Sequence, residues 1–276
     1  MAKITAAEVN KLRKLTGAGM MDCKKALVET DGDQEKAIDI LRKKGQKVAA
    51  NRSDRDAAEG VVLSKVNEDS TFGAVVMINC ETDFVAKNDD FVAYAQSVLD
   101  LAIANKAKTS DEVLALSLNG VSVKDTLVDQ IGKIGEKIEL GGYAMLEDAA
   151  ISAYVHPGNR IATVVALNKV VDNVAEIGKD VAMQVAAMNP IALDQSFVDQ
   201  TTIDHELALF RDVIRQEGKP EAMVEKIAMG KLNKFFKENT LLNQAFIKDS
   251  KQSVSNHLKS FDKDLTASNF KRFALA

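Results

Sequence analysis

The side chains able to do covalent or metal chemistry in this chain are few and scattered. Two cysteines, Cys23 and Cys80, and three histidines, His156, His205 and His257, are all it holds of either type. A nucleophilic thiol needs a base beside it, and neither cysteine has a histidine near it in sequence. No His or Cys stands at metal-ligand spacing from another. Each cysteine therefore reads as a small buried hydrophobe, and His205 and His257 read as surface residues. No Gly-x-x-x-x-Gly-Lys-Ser/Thr run cradles a phosphate. Gly17-Ala18-Gly19 has no strand before it and reads as a turn between helices. The expectation is a binding protein, not an enzyme, with no metal and no cofactor of its own.

The stretch that does stand out is 80–88: Cys80-Glu81-Thr82-Asp83-Phe84-Val85-Ala86-Lys87-Asn88. It follows Phe72-Gly73-Ala74-Val75-Val76-Met77-Ile78, a short β-branched run that reads as a largely buried strand. An acid and a large ring then come where the strand should end, and a helical pattern resumes only near Asp90-Phe91. A phenylalanine so placed either tucks back into the core or points outward at a partner.

The flanking pattern supplies the scaffold. Thr5-Ala6-Ala7-Glu8 is a capping box, followed by Val9, Leu12 and Leu15 at helical spacing. A second helix is expected over about 21–29, and a third, carrying Ala37, Ile38, Ile40 and Leu41, to about Lys44. Residues 45–58 read as a polar, alanine-rich linker, helical in part. A hairpin follows, 60–66 and 72–78 around a turn at Asn67-Glu68-Asp69-Ser70. A helix over about 90–105 comes next, then further helix across 106–140. A second hairpin, 151–155 and 161–167 around His156-Pro157-Gly158-Asn159, leads to a helix near 175–188. A shift of 89 residues superposes the two hairpins. It also sets Asp83-Phe84-Val85-Ala86 against Asp172-Asn173-Val174-Ala175, so Phe84 is what the first copy has and the second lacks. Ile203, Leu207, Phe210, Val213 and Ile214, then Met223, Val224, Ile227, Ala228, Leu232 and Phe235, form two stripes around Glu217-Gly218-Lys219-Pro220. They predict an inserted αα-hairpin at about 200–240, exposed and suited to self-association or partner contact. An extended stretch at 241–247, a short helix near 254–258 and a last strand over 269–273 complete the chain.

The chain has 276 residues, 46% of them apolar and 28% charged, an ordinary globular mix with room for about two domains. It lacks an 18-residue apolar run and an apolar leader at its N-terminus. Two cysteines make no disulfide framework, so a reducing cytoplasm is expected. The net charge of −4 is uneven: residues 1–55 carry thirteen Lys/Arg against eight Asp/Glu, and the remainder is acidic. A +5 N-terminal piece leaves open an RNA- or ribosome-associated interaction module, although the chain has no tryptophan and few aromatics for base stacking.

Two long motifs carry a family resemblance. Leu12-Arg13-Lys14-Leu15-Thr16-Gly17-Ala18-Gly19-Met20-Met21-Asp22-Cys23-Lys24-Lys25-Ala26-Leu27 closely resembles the N-terminal signature of bacterial elongation factor Ts. Cys80-Glu81-Thr82-Asp83-Phe84-Val85-Ala86-Lys87 resembles that family's second signature. The order of parts is similar along essentially the whole chain. The resemblance implies an α+β fold: a three-helix ubiquitin-associated-like bundle with its linker (1–55), a core N-subdomain (56–140), and a core C-subdomain (141–276) carrying the helical hairpin. The two subdomains are related and hold small antiparallel sheets. The implied function is guanine-nucleotide exchange on elongation factor Tu in translation, with no nucleic acid or membrane contacted directly. By the resemblance, Thr82, Asp83, Phe84 and Val85 disturb the Mg²⁺ site of the GTPase. Arg13, Met20, Met21, Lys24, Ile134, Gly135 and His156 add further contacts, although packing within the bundle is the rival role for Met20 or Met21. The sequence stops at Lys271-Arg272-Phe273-Ala274-Leu275-Ala276, without the C-terminal helical module of some family members, so contacts carried by that module are not expected.

Overall fold

The computed structural model describes residues 4–276; residues 1–3, part of the stretch read for a leader, lie outside it. The chain forms two compact units. One runs up to Leu63 and takes in Val76–Ala144 and Phe273–Ala276; the other is Ser64–Val75 with Met145–Arg272. Helices combine with small sheets whose hairpins pair antiparallel, an α+β fold.

The first unit begins with α1 (Ala6–Thr16), α2 (Met20–Glu29) and α3 (Gln34–Asn51). The capping box forms: the Glu8 N–H donates to Thr5 Oγ1 at 3.3 Å and the Thr5 N–H to Glu8 Oε2 at 2.7 Å. Gly17 ends α1 in the left-handed region, φ 68°, its N–H donating to the Arg13 carbonyl. Val9, Leu12, Cys23, Ala26, Leu27 and Ala37 are the buried core of the bundle, each fully buried leucine contributing about 1.5–3 kcal/mol. Leu15 does not join them. It is 63% exposed, on the rim of a cleft of about 450 Å³ that Ile38 and Leu41 also line.

The third helix does not stop near Lys44. It continues for a total of 18 residues to Asn51, through what the sequence presents as linker. Gly45 is the reason for the discrepancy, because it serves close approach and not termination. Here α3 crosses α7 (Val123–Ile134). A Cβ on Gly45 would lie 3.2 Å from the Val128 carbonyl oxygen, and one on Gly132 would lie 3.0 Å from Gly45 Cα.

Between these helices come β1 (Glu59–Val66), β2 (Phe72–Cys80), the four-residue α4 (Asp83–Ala86), α5 (Asp89–Ala104) and α6 (Ser110–Ala115). The expected helix over 106–140 is interrupted. β3 (Ser117–Leu118) and β4 (Val121–Ser122) pair across Asn119-Gly120, both at positive φ, which is the turn this dipeptide favours. After α7 comes β5 (Glu139–Glu147), a strand the pattern conceals. Its Gly141 faces the Asn79 side chain, where a Cβ would sit 1.7 Å from Oδ1. β1, β2 and β5 form a sheet in the order β1-β2-β5.

The later strands are β6 (Ala150–Val155) and β7 (Ile161–Leu167), antiparallel with Ala150 opposite Leu167. They are followed by α8 (Val174–Met188), α9 (Gln200–Gln216), α10 (Glu221–Asn239), β8 (Ala245–Phe246), β9 (Asp249–Ser253), α11 (Val254–Lys259) and β10 (Ala267–Ala274). The second sheet has the order β10-β7-β6. In both sheets a hairpin gains its third strand beside its second strand, after intervening helices. The repeat seen in sequence is thus a repeat of topology. Val165, Leu167, Ile177, Val181, Val185, Leu241 and Leu258 belong to one buried cluster. The helical hairpin closes on a smaller one, Ile214, Val224 and Ala228, while Met223 leaves its expected stripe and is exposed. His257 is not the surface residue expected. α11 buries Val254 and Leu258, which carries the His257 ring onto Phe246 at a centroid distance of 3.9 Å. Its Nε2 is buried with no hydrogen-bond partner.

Candidate partner-binding site

The 80–88 segment resolves into a pinned turn. β2 ends at Cys80, and Thr82 caps α4 in extended geometry, its Oγ1 accepting from the Val85 N–H at 3.4 Å. The Thr82 hydroxyl donates to Glu136 Oε1 at 2.6 Å. The other oxygen of that carboxylate accepts from the N–H groups of Glu81 and Thr82 at 3.1 and 3.0 Å. Glu136 reaches this position because Gly135, at φ 82°, ends α7 in the left-handed region and turns the chain back.

A second carboxylate answers the first. Glu81 accepts from the Lys137 N–H at 2.6 Å and from Arg52 Nη1 at 2.8 and 2.9 Å. The Lys137 N–H, then Arg52, holds the Glu81 carboxyl below the ordinary glutamate range. Two loops more than fifty positions apart in sequence are thus fastened reciprocally, and Arg52, just past α3, joins them.

On this turn Phe84 points outward, 84% exposed. Asp83 pairs with Lys87 at 2.6 Å across one helical turn, and that hydrogen bond lowers its carboxyl pKa. Beneath the turn Cys80 is fully buried. Burial, aided by the charge of Glu136, pushes its thiol up to about 12, and its Sγ donates to the Thr82 carbonyl. Cys23 is equally buried, so both cysteines pack as hydrophobes.

The other residues singled out by resemblance divide between the units. Ile134 and Gly135, both half-buried, immediately precede Glu136 and so stand beside the turn. The α1–α2 connection meets the same end of α7: a Cβ on Gly17 would lie 2.9 Å from Lys133 Cδ. From that connection α2 starts with Met20 and Met21, 51% and 62% exposed, so neither is core. Arg13 and Lys24 are exposed on α1 and α2. His156 is exposed on the β6–β7 turn of the second unit, its Nδ1 3.0 Å from the Tyr154 hydroxyl. None of these residues lines the cleft at Leu15. Among the described residues no cluster of three or more His, Cys, Asp or Glu could hold a metal ion, and no helix is long and apolar enough to cross a membrane.

Sequence reasoning missed Glu136, Glu81 and Arg52 as parts of the site. Glu81 lies inside the 80–87 motif and Glu136 directly follows Gly135, but Arg52 stands in neither motif, and pairing across 54 and 29 positions leaves no periodic signal.

The arrangement presents an exposed aromatic ring, an adjacent acid and a set of exposed methionines on folded elements. A family profile described as Elongation factor TS matches residues 81–276. Elongation factor Ts of Christiangramia forsetii is 55% identical over 275 residues, covering 100% of both chains. Elongation factor Ts of Flavobacterium psychrophilum is 54% identical with the same coverage, and that of Porphyromonas gingivalis is 49% identical over 99% of this chain and 98% of its own. The matches to these relatives also span residues 12–27, which precede the profile match, and the chain belongs to the elongation factor Ts family, a family of translation elongation factors.

Proposed function

We propose that the chain is the guanine-nucleotide exchange factor of elongation factor Tu, acting in the cytoplasm. It binds the GDP form, disturbs its Mg²⁺ site through Thr82, Asp83, Phe84 and Val85, and releases GDP so that GTP can rebind. Arg13, Met20, Met21, Lys24, Ile134, Gly135 and His156 hold the complex together. The observation that carries this reading is the outward ring of Phe84 on a turn fixed from beneath.

The physics needs no covalent step. Mg²⁺ neutralises phosphate charge, so displacing it weakens GDP. By linkage, a factor that lowers GDP affinity binds the GDP form less tightly by the same ratio. A ~10⁴-fold shift needs about 5.5 kcal/mol of differential binding, whereas burying one phenylalanine supplies about 1.5–3 kcal/mol. The ring is therefore a wedge that works only while other contacts hold it in place.

The direct test is release of fluorescent GDP from elongation factor Tu with and without the chain, paired with pull-down against the nucleotide-free and GDP-bound GTPase. Acceleration and preference for the nucleotide-free form are expected; an unchanged release rate would overturn the proposal. The helical hairpin serves as a further contact arm, for the GTPase or a second copy. Its excision should change affinity or sedimentation, and no change in either would reduce it to a structural element.

A further inference from the structure

Resting on that reading of the 82–85 turn, we infer that Glu136 is the positioning residue of the Phe84 wedge, with the Arg52–Glu81 pair as its second tie. Neither group needs to touch the GTPase for this role. The argument starts from what α4 lacks. A helix of four residues has no stability of its own in water, because nucleation fixes several residues before propagation rewards it. Its exposed ring adds nothing to the core of the free chain. Left to itself, 82–86 would sample many conformations, and the partner would have to order them on binding.

The structure removes that freedom with one carboxylate. Glu136 takes three donors, the N–H groups of Glu81 and Thr82 and the Thr82 hydroxyl. The first two are the backbone groups just past the end of β2, where strand pairing stops supplying partners. The third is the hydroxyl that caps α4, so the bond to Glu136 sets the rotamer from which Thr82 receives the Val85 N–H. Charge-assisted bonds of this kind are the stronger class. Glu81 closes the pair from the other side on the Lys137 N–H and Arg52. Arg52 follows directly on α3, whose Gly45 is packed against α7, so the tie has a rigid base.

The chain contains no tryptophan, which makes the test direct. Phe84→Trp places a single indole on the turn, and its fluorescence anisotropy decay reports local freedom without any partner. Adding E136A should raise the amplitude of fast local motion, and E136Q, which keeps one acceptor, should give an intermediate value. In the Phe84 background, E136A should slow GDP release at saturating factor by about tenfold while changing affinity for nucleotide-free GTPase less than threefold. R52Q should move both readouts in the same direction by a smaller amount. Far-UV circular dichroism checks that each variant is folded, and E136Q stands in if E136A is not. Unchanged indole motion in E136A or E136Q overturns the inference, as does a loosened turn with wild-type exchange. F84A with wild-type exchange would instead refute the wedge reading, while the anisotropy still reports whether Glu136 fixes the turn.

Discussion

On the proposed reading Phe84→Ala separates function from folding, and the exposure of the ring sets the size of the effect on folding. The ring is 84% exposed, so its removal leaves no cavity in the free chain. Surface changes of this kind stay within about ±0.5 kcal/mol, and alanine is the better helix former by a similar amount. The melting temperature should shift by ~2 °C or less. If the proposed complex buries the same ring, its loss costs about 1.5–3 kcal/mol. Applied to the release step, that is about a 10- to 150-fold slower rate. Residual exchange should persist, since the wedge supplies only part of the differential binding. The assay is stopped-flow release of fluorescent GDP from elongation factor Tu at saturating factor, with calorimetric affinity for the nucleotide-free GTPase alongside. Equal rates for variant and parent would refute the wedge. A melting temperature lowered by more than ~6 °C would refute the claim that the ring adds nothing to the free fold.

Other consequences are equally open to measurement. Gly132→Val puts a side chain where Gly45 Cα stands 3.0 Å from a built Cβ; α3 and α7 must separate, and denaturant melts should show a loss of about 1–3 kcal/mol. Burial lowers the pKa of His257, whose Nε2 has no partner. The unfolded chain then binds the extra proton first, so stability should fall as pH drops below about 6.5. Urea melts at pH 7.5 and 5.5 should show a larger loss for the parent than for H257L, and identical losses would refute the assignment. Met21→Ala removes an exposed side chain from α2, so it should leave the melting temperature in place and weaken binding of nucleotide-free GTPase by about 1 kcal/mol; unchanged affinity by calorimetry would count against the bundle as an anchor.

What was legible in the sequence follows from the range of the interactions. Thr5 and Glu8 announce α1 because a capping box is complete within four residues, and the two hairpins announce themselves by period and turn chemistry. Gly45 misleads because a glycine that ends a helix and one that lets two helices touch look alike until α7 is in place. β5 was hidden for a related reason: Gly141 makes room for Asn79, a residue 62 positions earlier. Asn119-Gly120 sits in a stretch that reads as helix across 106–140, because its strands of two residues each are too short for alternation to register. Phe84 emerged by contrast with Asn173 at the matching place in the second copy. There the helix enters through Asn173 in the left-handed region with no side-chain cap, whereas Thr82 enters in extended geometry. The two carboxylates that fix the turn could not be read at all, since nothing local couples Glu136 to Thr82.

An unburied ring creates a second problem, that of staying in solution between encounters. Charged residues flank Phe84 along the chain: Asp83 and Lys87, paired on its own turn, then Asp89 and Asp90, both exposed at the start of α5. Charges flanking an obligatory apolar group act as gatekeepers against indiscriminate association. They also set a condition on any surface that would take the ring, which must tolerate the three carboxylates that flank it in sequence. On the proposed reading the turn would select against generic hydrophobic patches, through what its charges repel as much as through what the ring attracts.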